Sequence, residues 1–154
     1  PMPDLYHQLI VQMLFTSLND FVKPLKRGLV ALAPLPVRLG KGKFREPDIG
    51  YFEKHRIKDL RTPPESADLV VEVVSPGHDS RKRDLVTKRK EYAKAGVHEY
   101  WIVDPDEKTI TVLTLAGKTY RAHGIFKEGD DATSKLLKGF HVSVTDVFAV
   151  GGDI

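Results

Sequence analysis

ADLVVEVVSPGHDSRKRDLVTKRKEYAKAGVHEYWIVDP (Ala67–Pro105) reads as a buried strand, a basic helix and a second buried strand. Leu69 to Val74 is a valine-rich, nearly continuous apolar run, the pattern of a strand covered on both faces. Glu72 interrupts it. An ionised carboxylate inside such a strand is costly unless it is paired or holds a metal. For a lone acid, a salt bridge to Lys or Arg is the commoner explanation. Ser75-Pro76-Gly77 closes the strand just beyond Glu72, placing the acid near the C-terminal end, where open α/β sheets put their ligands. A helix from about Asp79 or Ser80 to Ala95 then carries Asp84, Lys88 and Tyr92 at i, i+4 and i+8, on one face. Gly96 suits the position just past its end. Glu99 to Val103 forms the second strand, and strand–helix–strand order suggests a crossover connection.

Working outward, Pro47-Asp48-Ile49 places a second acid at the opening of another apolar segment, Asp48 to Phe52. Two carboxylates on neighbouring strands and one lysine are the minimum set for Mg²⁺-dependent phosphodiester cleavage. On that reading Asp48 and Glu72 hold the cation, with a backbone carbonyl near Val73 or Val74 and water. Lys88 assists the attacking water or the scissile phosphate, and Tyr92 orients it. Asp84 is expected to pair with Lys88 rather than serve as an outer metal ligand.

Competing chemistries lack their residues. With no cysteine among 154 residues there is no disulfide, thiolate zinc site or thiol nucleophile. The six histidines form no i, i+4 or alternating cluster. There is no Gly-x-Ser-x-Gly elbow and no glycine-rich phosphate loop. A net charge of +3 is too small to announce nucleic-acid binding alone. The basic helix, with Arg81, Lys82, Arg83, Arg89, Lys90 and Lys94, is either a solvated face or a phosphate-facing one, so a binding module without catalysis stays open. A homodimer whose acids merely pair with Lys or Arg is a third reading. A hydrophobic fraction of 41% suits a globular domain with a real core. No run is long and apolar enough to span a bilayer, and no secretion leader is evident, so a cytoplasmic location is expected.

Elsewhere, Asp4 to about Lys23 reads as a helix with Asp4 as N-cap. Its apolar stripe runs through Leu5, Leu9, Met13 and Phe21, widened by Ile10, Leu14 and Leu18. His7, in the first turn, is expected at the surface or in the cap. Leu29 to Leu39, broken by Pro34 and Pro36, reads as two edge strands, and Lys41 to Arg45 as a basic turn. Glu53 to Ser66 is a loop with a short helical turn. Thr109–Leu115 and Thr119–Phe126 form a β-hairpin. Asp130 to Lys138 is polar, Gly139 to Val144 a last strand, and Val147 to Ala149 a helical turn.

Arg45-Glu46-Pro47-Asp48-Ile49, the Ala67–Pro76 run, Asp84 with Lys88 and Tyr92, and Ala95–Pro105 together resemble the Uma-two family. Its members are assigned as endonucleases of the PD-(D/E)XK, restriction-endonuclease-like superfamily. The resemblance spans about His7 to Phe148. It implies an α/β fold with a restriction-endonuclease-like core: one domain over residues 1–154, a mixed central sheet flanked by helices, and a C-terminal hairpin. It also implies Mg²⁺, with Mn²⁺ as substitute, DNA as substrate, and homodimerisation as a superfamily expectation. Asp48 and Glu72 match the motif acids. The superfamily lysine normally lies two residues after the second acid, where this chain has Val74. Lys88 on the helix matches it instead, and His7 lies where the family often has a histidine. Family members usually carry a further N-terminal segment before the first helix, so part of the sheet or site is expected to be missing here.

Overall fold

A computed structural model describes residues 2–154, Ser80 by its backbone alone. Its centre is a six-stranded mixed sheet in the order β1-β4-β5-β6-β7-β8. The strands are β1 (Gly28–Leu32), β4 (Ile49–Glu53), β5 (Leu69–Val73), β6 (Glu99–Asp104), β7 (Thr109–Ala116) and β8 (Thr119–Lys127). β5 and β6 pair in parallel, Leu69 opposite Glu99 and Glu72 opposite Ile102. The neighbouring pairings are antiparallel. This is the mixed sheet expected from the sequence, with β7–β8 as its terminal hairpin.

All five residues of β5 and all six of β6 are buried, because both faces of the sheet are covered. Alternation sends Val71, Val73, Trp101 and Val103 into a core with α1 (Leu5–Val22), and Val70, Tyr100 and Ile102 into a second core with Tyr92. Glu72 shares the parity of Val70, which turns it toward the helix carrying Lys88. That helix is not uniform. α2 (His78–Lys82) runs into a π-helical turn, Arg83–Thr87, and then into α3 (Lys88–Lys94). Gly96 follows with φ +77°, closing the helix as its sequence position suggested.

The Asp4 side chain caps α1 by accepting from the His7 N–H. The buried face of α1 differs from the expected stripe: Ile10, Leu14 and Leu18 are buried with His7, Val11 and Val22, while Leu5 is 71% exposed. Two leucine-rich rows at four-residue spacing run along this helix, and periodicity alone does not say which faces the sheet. The basic turn at Lys41–Arg45 is another correction. β3 (Lys43–Arg45) pairs with β2 (Val37–Gly40) as a separate hairpin beside the main sheet. Phe44 and Arg45 alternate across it, a signal hidden by the surrounding charges.

Downstream, the polar segment 130–138 contains β9 (Asp131–Thr133), which pairs with β10 (His141–Ser143) ahead of α4 (Val144–Phe148). It is tied to the sheet by Glu99. This fully buried carboxylate accepts from Trp101 Nε1 (2.8 Å), Ser134 Oγ (2.5 Å) and the backbone N–H groups of Lys135 (2.8 Å) and Leu136 (2.9 Å). Four donors around one carboxylate compensate its desolvation without a cation.

Candidate active site

The site lies at the C-terminal end of β5, where β4, β5, α1 and the α2–α3 helix meet. Each element brings one part. Asp48 immediately precedes β4, so its backbone is positioned by the strand while its side chain, 22% exposed, stays near the surface. The Val73 N–H donates to Asp48 Oδ2 at 2.8 Å, and the Asp48 N–H lies 3.3 Å from Glu72 Oε1. The two acids are thus held side by side through each other's backbone.

Glu72 is 2% exposed. Its Oε2 takes the Lys88 ammonium at 2.8 Å and the Tyr92 hydroxyl at 2.7 Å. Lys88 Nζ also lies 2.9 Å from Asp84 Oδ1. The expected face of Asp84, Lys88 and Tyr92 therefore exists and meets the strand acid, with the π turn between the first two absorbed. The Tyr100 hydroxyl, from β6, donates to the Asp84 carbonyl at 2.9 Å and fixes the start of that turn. Asp84 Oδ1 is buried without an aligned hydrogen-bond partner, so its link to Lys88 is an ion pair rather than a directed bond.

His7 corrects the surface expectation. It is 4% exposed, with Nε2 2.8 Å from the Val73 carbonyl and 3.5 Å from Asp48 Oδ2. Nδ1 lies 3.0 Å from Gln8 Oε1. A first-turn position is exposed only if the helix end is exposed, and here the start of α1 docks over the end of β5.

The electrostatics follow from burial. Desolvation pushes the Glu72 carboxyl up to about 7; Lys88 opposes the rise, and the neighbouring Asp48 charge adds to it. Burial alone would lower Lys88, but the Glu72 and Asp84 carboxylates outweigh it and raise its pKa. His7 behaves likewise: burial lowers it, and Asp48 raises it further. The ammonium is therefore firmly charged, while the acid pair is the electrically strained part of the site.

That strain is what a divalent cation would relieve. Among the described residues, no three His, Asp or Glu side chains converge as a metal cluster. The donors on hand are the two carboxylates and the Val73 carbonyl, all hard oxygens of the kind Mg²⁺ takes together with water. The set fits such an ion, with Asp48 as its open side.

Sequence reading missed the anchor beside the site. Arg45 Nε and Nη2 donate to Glu91 at 3.1 and 2.7 Å, clamping the β2–β3 hairpin onto α3. A bidentate pair between residues 46 apart leaves no local pattern to find.

The protein is thus an α/β mixed sheet with acids at the ends of two adjacent strands and a lysine facing them from a helix. Comparison with known proteins makes this specific. Residues 1–145 match the family described as "Uma2: Putative restriction endonuclease", and the chain belongs to that family. Its fold is similar to a crystal structure from Anabaena variabilis described as "a putative nuclease belonging to DUF820". The TM-score is 0.79 at 24% identity, over 97% of this chain and 83% of that one, a likeness of fold. No curated protein sequence matches the chain.

Proposed function

We propose that this chain is a Mg²⁺-dependent endonuclease that hydrolyses phosphodiester bonds of DNA, with Mn²⁺ as a working substitute. Family membership supports the nuclease class. The observation that carries the catalytic reading is the Lys88 ammonium, 2.8 Å from Glu72 Oε2 and 2.9 Å from Asp84 Oδ1. A helix lysine has been brought to the strand acid although the strand itself offers Val74 at the usual lysine place.

Asp48, Glu72 and the Val73 carbonyl would hold the cation, which when bound neutralises phosphate charge and acidifies water. The protein's own residues do the remaining work. Lys88 stabilises the charge that grows on the phosphate. Asp84 and Tyr92 fix its direction and that of Glu72. His7 holds Asp48 and the Val73 carbonyl in place from α1.

The test is cleavage of labelled single- and double-stranded DNA with Mg²⁺ or Mn²⁺ by wild type, Asp48→Asn and Lys88→Met, each checked for its folded spectrum. A loss of at least about 100-fold in both folded variants is expected, the scale of removing a preorganised charge from a reacting centre. Equal cleavage by all three would place the activity elsewhere. One observation favours a second reading: Lys88 and Tyr92 already satisfy Glu72 Oε2 without a cation. A folded wild type that binds DNA and leaves it intact with either metal would make the chain a nucleic-acid-binding relative.

A further inference from the structure

Beside the site lies a cleft of about 430 Å³ lined by Pro36, Phe44, Arg45, Glu46, Arg83 and Lys88. Lys88 joins this cleft to the acid pair. Phe44 lines it from β3 with 43% of its surface exposed. Phe44 belongs to neither hydrophobic core. It is held by Arg38, whose guanidinium lies 5.0 Å from the ring centroid, while Arg38 itself reaches Glu65 at 3.5 Å. The hairpin bearing Phe44 does not swing freely: Glu91 ties it through Arg45 and, at 3.6 Å, through Lys43 to the helix that carries Lys88. Lys41 and Lys43 are both exposed at its tip.

We infer that the β2–β3 hairpin is a stacking platform for an unpaired base, so that the substrate is single-stranded at the nucleotide next to the scissile phosphate. This rests on the nuclease reading of the same site and names its substrate class. An exposed aromatic ring braced by a guanidinium is the surface on which single-stranded nucleic acid stacks without regard to sequence, and lysines beside it track the backbone. The acid Glu46 on the cleft wall repels phosphate, so the backbone passes on the Lys43 and Lys88 side while the base takes the Phe44 side. A duplex keeps its bases stacked and presents none to the ring.

Binding of a fluorescein-labelled oligothymidylate and of a hairpin duplex of equal length is measured by anisotropy in EDTA, for wild type, Phe44→Leu and Phe44→Trp. Cleavage with Mg²⁺ is assayed separately. Stacking is worth on the order of 1–3 kcal/mol per base, so Phe44→Leu is expected to weaken oligothymidylate binding roughly ten-fold and duplex binding hardly at all. Phe44→Trp should restore or tighten it. Because Phe44 is exposed, neither change threatens the fold. Wild type that cleaves DNA while Phe44→Leu binds the single strand unchanged overturns the platform and leaves the nuclease reading intact. Equal losses for duplex and single strand also overturn it. Wild type that neither binds nor cleaves defeats both.

Discussion

Tyr92 separates what the site needs for chemistry from what it needs for folding. Its hydroxyl reaches Glu72 Oε2 at 2.7 Å, and its ring is fully buried, 5.1 Å edge-on from Tyr100. Tyr92→Phe keeps the packing and removes only that hydrogen bond. An expected stability loss of about 1 kcal/mol in urea unfolding, with roughly ten-fold slower cleavage and unchanged substrate affinity, would mark it as a positioning residue. Affinity falling in step with turnover would mean that it contacts substrate. At this scale the sequence was largely legible. Glu72 betrayed itself by interrupting an apolar run, and Lys88 by its spacing from Asp84 and Tyr92. His7 did not, because a first-turn histidine looks the same whether the helix end meets solvent or, as here, the end of a strand.

At the scale of elements, the hairpin and the sheet edge give two expectations. Arg45 holds the Glu91 carboxyl below its ordinary value of 4.5, outweighing its partial burial, with Lys43 assisting. The pair's stabilisation is therefore complete above that value and fades as pH falls through the lower folded value. Thermal scans of wild type and Glu91→Gln should differ near pH 7 and converge only in acid, once pH falls below the lowered folded value. A constant gap would show that the hairpin is held by packing alone. On β1, a Cβ at Gly28 would sit 2.0 Å from the Phe52 carbonyl oxygen. Gly28→Ala therefore has to move backbone, and a loss of about 2 kcal/mol or more in chemical denaturation is expected. The strand, helix and hairpin order of the core was readable because each element carried its own period. The β2–β3 hairpin was not, since three residues inside a run of charges are too few to show alternation. The hairpin's hold on α3 depends on an ion pair with no local signature.

Across the whole molecule, two cores back one sheet, and the segment after β8 is fastened through Glu99. Glu99→Gln keeps the shape but replaces one acceptor oxygen with an amide NH2 that faces other donors. A loss of about 2–3 kcal/mol is expected, read as a lower urea midpoint with an unchanged slope. A lower slope would mean that residues 134–137 detach on their own. The sequence hid this fastening. The stretch reads only as polar, whereas Ala132 and Leu137 are buried and Ser134 is drawn inward by the carboxylate. Among the described residues, no helix is long and apolar enough to cross a membrane.

The π turn at Arg83–Thr87 sets how this gene can vary in length. Its near end is pinned where Tyr100 grips the Asp84 carbonyl, and its far end where Tyr92 is locked in the core. In a regular helix each residue advances the side-chain direction by about 100°, so dropping one codon between those pins puts the two out of register by about that angle while the sheet still forms. A loop such as 57–66 carries no such pair of pins. A library of single-codon deletions should return folded but inactive proteins from the turn and active ones from that loop.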